Sequence, residues 1–171
     1  MASTTQSTVR SRPWGTGAWP WVLLMLAVAV FGFWTPYFSR LDDAQVLVHV
    51  HAMAMLTWFA MLVVQPMLIR GRQLLWHRRL GKASCVVVPL IAVSALMLAQ
   101  ARIRDAPAEA LPIQIVILYL GVSASAMLLL IWGLGIRHRR ETAVHARYMV
   151  GTALTMVDPA LARVMIFWTP S

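Results

Sequence analysis

Apolar residues fall along this chain in five long blocks, at about 19–38, 44–69, 82–101, 112–136 and 144–168, with short polar or basic segments between them. Each block comes near the ~20 residues that a helix needs to cross a hydrocarbon core about 30 Å thick. The fold class expected from this pattern is all-α, a polytopic transmembrane helical bundle of five spans occupying residues 18–171. The first block ends in Trp34-Thr35-Pro36-Tyr37, an aromatic and proline anchor of the kind found at membrane interfaces. Pro112 suits the first turn of the fourth block. The fifth carries Asp158, Pro159 and Arg163 inside it, which makes it the most heavily burdened span.

Residues 1–17 are polar, carry Arg10 and Arg12, and read as a disordered cytoplasmic tail. A signal peptide is the competing reading, because basic residues precede an apolar run. That run is too long for a typical h-region and no small-x-small cleavage site follows it, so an uncleaved first helix is expected.

Composition agrees with the pattern. The chain is 60% hydrophobic and 12% charged, whereas soluble domains are about 45–50% apolar and about 25% charged. A net charge of +9 over 171 residues raises the question of nucleic-acid binding. The cations lie at the ends of the apolar blocks, where topology signals sit, so the charge is read as a membrane signal and nucleic acid is not an expected partner. Arg10, Arg12, Arg70, Arg72, Arg78, Arg79, Lys82, Arg137, Arg139, Arg140 and Arg147 fall on one side. Arg40, Arg102, Arg104 and Arg163 fall on or toward the other. This bias predicts a bacterial inner-membrane protein with its N-terminus in the cytoplasm and its C-terminus in the periplasm. The single cysteine, Cys85, cannot form an internal disulfide and is expected to be a small core residue.

Four histidines stand out. His49 and His51 lie just inside the second block, where an imidazole in hydrocarbon calls for a partner, a metal or a cofactor. On a helix they lie about 200° apart. His49 is instead in register with Met53, and His51 with Met55, each at i,i+4. Imidazole with thioether suits a haem iron or a copper ion, and a plain structural hydrogen bond is the alternative. His77 and His145 each open a helix at the basic side, within Trp76-His77-Arg78-Arg79 and Val144-His145-Ala146-Arg147, which suggests two related hairpins. If those hairpins face each other, the two rings can approach as a bis-imidazole pair; neither can reach His49 or His51 across the core.

Asp158 lies about 14 residues into the fifth block, roughly 21 Å along a helix axis. It is expected to face His49 or His51 as part of a polar or proton network, with Arg163 snorkelling outward. Gln65 is expected to join helices by hydrogen bonding. Arg78, Arg79, Lys82, Arg139, Arg140 and Arg147 are positioned to meet anionic lipid headgroups. No residue set for hydrolytic chemistry can be assembled.

The stretches His49-Val50-His51-Ala52, His77-Arg78-Arg79-Leu80-Gly81, His145-Ala146-Arg147-Tyr148-Met149 and Pro159-Ala160-Leu161-Ala162-Arg163 carry a resemblance. In these motifs, about two-thirds of the chain resembles a group of short bacterial inner-membrane proteins without an assigned activity. More faintly, it is similar to transmembrane b-type cytochromes, which hold haem between histidines of a helical bundle. The resemblance implies haem b only where two histidines share a depth on neighbouring helices. The leading expectation is a small haem-associated or redox-active membrane protein, with His77 and His145, or His49 and a methionine, as ligands. The alternatives are a cofactor-free accessory subunit packing against partner membrane subunits, and a proton-coupled small-solute carrier using Asp158.

Overall fold

A computed structural model describes residues 17–168. Within them the chain forms α1 (Trp19–Gly32), α2 (Val46–Arg70), α3 (Leu74–Arg104), α4 (Leu111–Arg137), α5 (Thr142–Leu154) and α6 (Val157–Trp168). Short 3₁₀ turns at Phe38–Asp43 and Ala108–Ala110 precede α2 and α4. No strand occurs among the described residues. Three helices, α2, α3 and α4 with its leading 3₁₀ turn, are long and apolar enough to cross a membrane. The expected tail at 1–17 lies almost wholly outside the described residues.

The helix ends have local causes. Pro20 and Pro112 stand in the first turns of α1 and α4, where the missing N–H costs no hydrogen bond. α1 stops at Gly32 after 14 residues, short of the expected 38, and the chain bends through Trp34 to Tyr37 into the 3₁₀ turn. α3 begins at Leu74 rather than 82, so the basic Leu74–Gly81 segment is helix and not loop. Leucine and arginine are strong helix formers, and Gly71–Gln73 alone makes the turn, with Arg72 in the left-handed region at φ 57°. The expected single helix over 144–168 is broken into α5 and α6. Pro159 explains the break: it has no N–H to offer the carbonyl of Thr155, and its ring crowds that carbonyl.

α2, α3 and α4 run up and down as neighbours, α5 packs on α4, and α1 packs against both α6 and α2. The contact between α1 and α6 closes the ring. A Cβ at Gly32 would collide with the backbone carbonyl of Ala160, so a side chain there would force α1 and α6 apart. α2 supplies the largest share of the core through Ala54, Trp58, Phe59, Met61 and Leu62, which meet Val22 of α1, Val88 and Ile91 of α3, Leu128 of α4 and Ala153 of α5. Residues such as Val86 and Tyr119 are about 70% exposed, forming apolar outer faces suited to acyl chains.

Lipid is as apolar as leucine, so packing and polar contacts, rather than water exclusion, must hold such helices together. Three hydroxyls supply one recurring contact. Ser84, Ser94 and Thr152 each donate to a carbonyl one turn back on their own helix: Gly81 at 2.6 Å, Leu90 at 2.6 Å and Met149 at 2.6 Å. With the hydroxyl proton so used, each oxygen accepts a ring N–H from a neighbouring helix. Trp132 donates to Ser84 at 3.1 Å, His51 bonds Ser94 at 2.9 Å, and Trp58 donates to Thr152 at 3.1 Å.

Candidate functional site

His77 and His145 sit in the first turns of α3 and α5, two helices that start at the same end of the bundle. Their ring centroids are 6.4 Å apart with planes at 89°. Both line a cavity of about 870 Å³ between α2, α3, α4 and α5. Its walls are apolar, from Trp58, Met61, Leu62, Pro66, Ile69 and Met149, while Arg78, Lys82 and Arg139 contribute to its lining. The volume lies inside the ~300–1,000 Å³ range of cofactor and small-molecule sites.

The local fold fixes one ring of the pair. Nδ1 of His145 donates to the carbonyl of Gly135 at 2.7 Å. That carbonyl belongs to the last turn of α4, where intrahelical acceptors run out of donors; the following amides go to Leu134 and Ile136. A carbonyl can only accept, so the His145 proton is on Nδ1 and the neutral ring keeps a lone pair on Nε2. Gly135 permits the approach: a Cβ there would strike the Met149 side chain and lie 3.2 Å from Cβ of Tyr148. His77 has no such anchor, and its Nδ1 is buried without a partner. Its backbone carbonyl receives the Gln65 side-chain amide at 3.2 Å.

The other histidines have ordinary partners on other elements. Nδ1 of His49 pairs with the Tyr37 hydroxyl at 2.9 Å, and Tyr37 is buried in the segment after α1. His51 must be the donor to Ser94, because the Ser94 proton is already directed at Leu90. Met53 turns outward, 59% exposed, whereas Met55 packs against the core. No group of three or more histidine, cysteine, aspartate or glutamate side chains suited to a metal ion occurs among the described residues.

Two sequence expectations need correction. Asp158 does not face His49 or His51: it lies exposed in the first turn of α6, on the outward side of a helix whose inner contact is Ala160. The expectation rested on depth along one unbroken helix, and the break between Leu154 and Val157 removes that premise. Cys85 is exposed and lines the cavity, rather than filling the core. Arg163 bends back on its own helix, donating to the Pro159 carbonyl at 2.9 Å with its guanidinium 4.4 Å from the centre of the Phe33 ring. Of the basic residues expected at headgroups, Arg79 lies over Trp76 at 5.2 Å, and Arg139 donates to the Ile136 carbonyl at 3.3 Å. Arg140 and Arg147 are exposed.

What sequence reading missed is Tyr37, Ser94 and Gly135, the partners of three histidines. Gly135 had a signal: a glycine in the last turn of a helix, ten residues before a histidine. Comparison with protein-family models, curated proteins and solved structures finds no match to this chain.

Proposed function

We propose that this protein binds haem b between His77 and His145 at the basic end of an inner-membrane bundle and works in electron transfer. The observation that carries the reading is the separation of the two rings. Both rings border one cavity, so a single metal centre there could take a nitrogen from each. His77 and His145 stand at 6.4 Å.

Three further features fit the group. The Nδ1–H of His145 is tied to a carbonyl, the usual second-shell support for a metal-binding imidazole, and it leaves Nε2 bare for the metal. The cavity walls suit a flat apolar ring system. Arg78, Lys82 and Arg139 suit the two carboxylates such a ring carries, by charge-assisted hydrogen bonds. When bound, haem would supply a one-electron couple. His77 and His145 would hold the iron, the apolar lining would surround the ring system, and Arg78, Lys82 and Arg139 would hold its carboxylates. The positive-inside bias puts this end in the cytoplasm.

Titrating the purified protein in detergent with hemin tests the reading. One equivalent is expected to bind and give a six-coordinate, low-spin Soret spectrum. His77→Ala and His145→Ala should each abolish that spectrum, while His49→Leu and His51→Leu should retain it. A colourless wild-type protein, or an unchanged spectrum in His77→Ala, overturns it. A colourless chain that copurifies with a membrane complex would favour the cofactor-free accessory reading instead.

A further inference from the structure

We infer that Gln65 is the positioning residue for His77, taking the proton on its Nδ1 so that Nε2 is left bare toward His145. Among the described residues, three buried side-chain polar atoms lack a hydrogen-bond partner: Oε1 of Gln65, Nδ1 of His77 and Oε1 of Gln114. Leaving a buried polar atom unpaired costs stability, and native structures keep few of them without reason. Gln114 stands in the first turn of α4, at the opposite end of the bundle from the first turn of α3. The other two belong to residues already joined, since the Gln65 amide nitrogen donates to the His77 carbonyl at 3.2 Å.

That bond fixes which way the amide points. A flipped amide would set oxygen against the His77 carbonyl oxygen. The Gln65 oxygen is therefore a free acceptor on a side chain already bonded to the His77 backbone, and Nδ1 of the His77 ring is a buried nitrogen still without a partner. Both residues line the same cavity. Gly81 leaves the crossing open: a Cβ there would come no nearer than 3.9 Å to the Gln65 amide nitrogen. A turn of the His77 ring joins donor to acceptor.

The result matches the arrangement on the other side. Gly135 holds the Nδ1–H of His145, and Gln65 holds the Nδ1–H of His77. Both rings then present Nε2 lone pairs across the gap. This deepens the haem reading and rests on it for its purpose, but the proton position can be measured without haem.

The experiment uses the full chain labelled with ¹⁵N-histidine in detergent micelles, the His77 signals being assigned by their loss in His77→Gln. In the wild type without haem, His77 is expected to carry its proton on Nδ1. In Gln65→Leu, which removes the acceptor, the proton moves substantially to Nε2. Gln65→Met, closer in length, replaces Gln65→Leu if the latter does not fold. A wild-type proton on Nε2, or a tautomer indifferent to Gln65→Leu, overturns the inference. Hemin titration of the same samples is a separate readout. Gln65→Leu should weaken binding about 10–100-fold, the usual cost of losing an outer-shell partner. If the tautomers respond while no sample takes up hemin, the haem reading fails and the Gln65 assignment stands. If hemin binds and the tautomers do not respond, the reverse holds.

Discussion

At the residue scale, hydroxyls that point back at their own helix turn into acceptors for the next one. Thr152 is wholly buried and faces Trp58, which is 2% exposed, so their bond has no water to replace it. Thr152→Val keeps the shape and removes the acceptor. It should destabilise the bundle by about 1 kcal/mol, within the range measured for such bonds in membranes, while Thr152→Ser should cost less. Unfolding midpoints in mixed micelles would show both. Gly135→Ala should act differently: Met149 can swing aside, but the added methyl also crowds Cβ of Tyr148 at 3.2 Å, so α5 gives way and the His145 bond to its carbonyl lengthens. Hemin affinity is then expected to fall with both imidazoles intact, and equal binding by this variant and the wild type would contradict that. Residue types were readable before the fold: His77 and His145 share a basic flank and a helix start, and the structure brings them together. Their partners were not readable. Tyr37 lies in a connector whose path no periodicity describes, and Ser94 looks like any small residue on an apolar helix.

At the element scale, hydropathy located α2 and α4 to within a residue or two, because a long apolar run bounded by arginine, proline and glycine has few other readings. It failed where the determinant was not apolarity. The first two turns of α3 are rich in arginine, and a hydropathy window reports affinity for lipid rather than helix formation. The break between α5 and α6 arises from one proline and one carbonyl, invisible to an average over twenty residues. Spacing of small residues marked neither face of the α1–α6 contact. Gly32→Leu is expected to cost about 1–3 kcal/mol, the usual penalty of overpacking, or to detach α6 from α1. Gly121→Leu serves as the control, since nothing lies within 4 Å of a Cβ there.

At the scale of the whole molecule, charge separates the two ends. α2 ends in Arg70 and α4 in Arg137, and α3 opens on Arg78, Arg79 and Lys82. The opposite end holds the acidic Asp42, Asp43, Asp105 and Glu109 beside Arg40, Arg102 and Arg104. With Cys85 replaced by serine, a cysteine at Arg140 should resist a membrane-impermeant maleimide in intact spheroplasts, and one at Glu109 should react. The opposite pattern would invert the proposed orientation and put the histidine pair at the periplasmic face.

The seam between α1 and α6 also bears on biosynthesis. During translation, the flank of α1 around Gly32 has no companion until α6 has left the ribosome, long after α2, α3 and α4 can have entered the bilayer. Ribosome stalling or a stop codon near Met156 would release a chain with its ring open and that flank bare, a state that membrane proteases can distinguish from the finished protein.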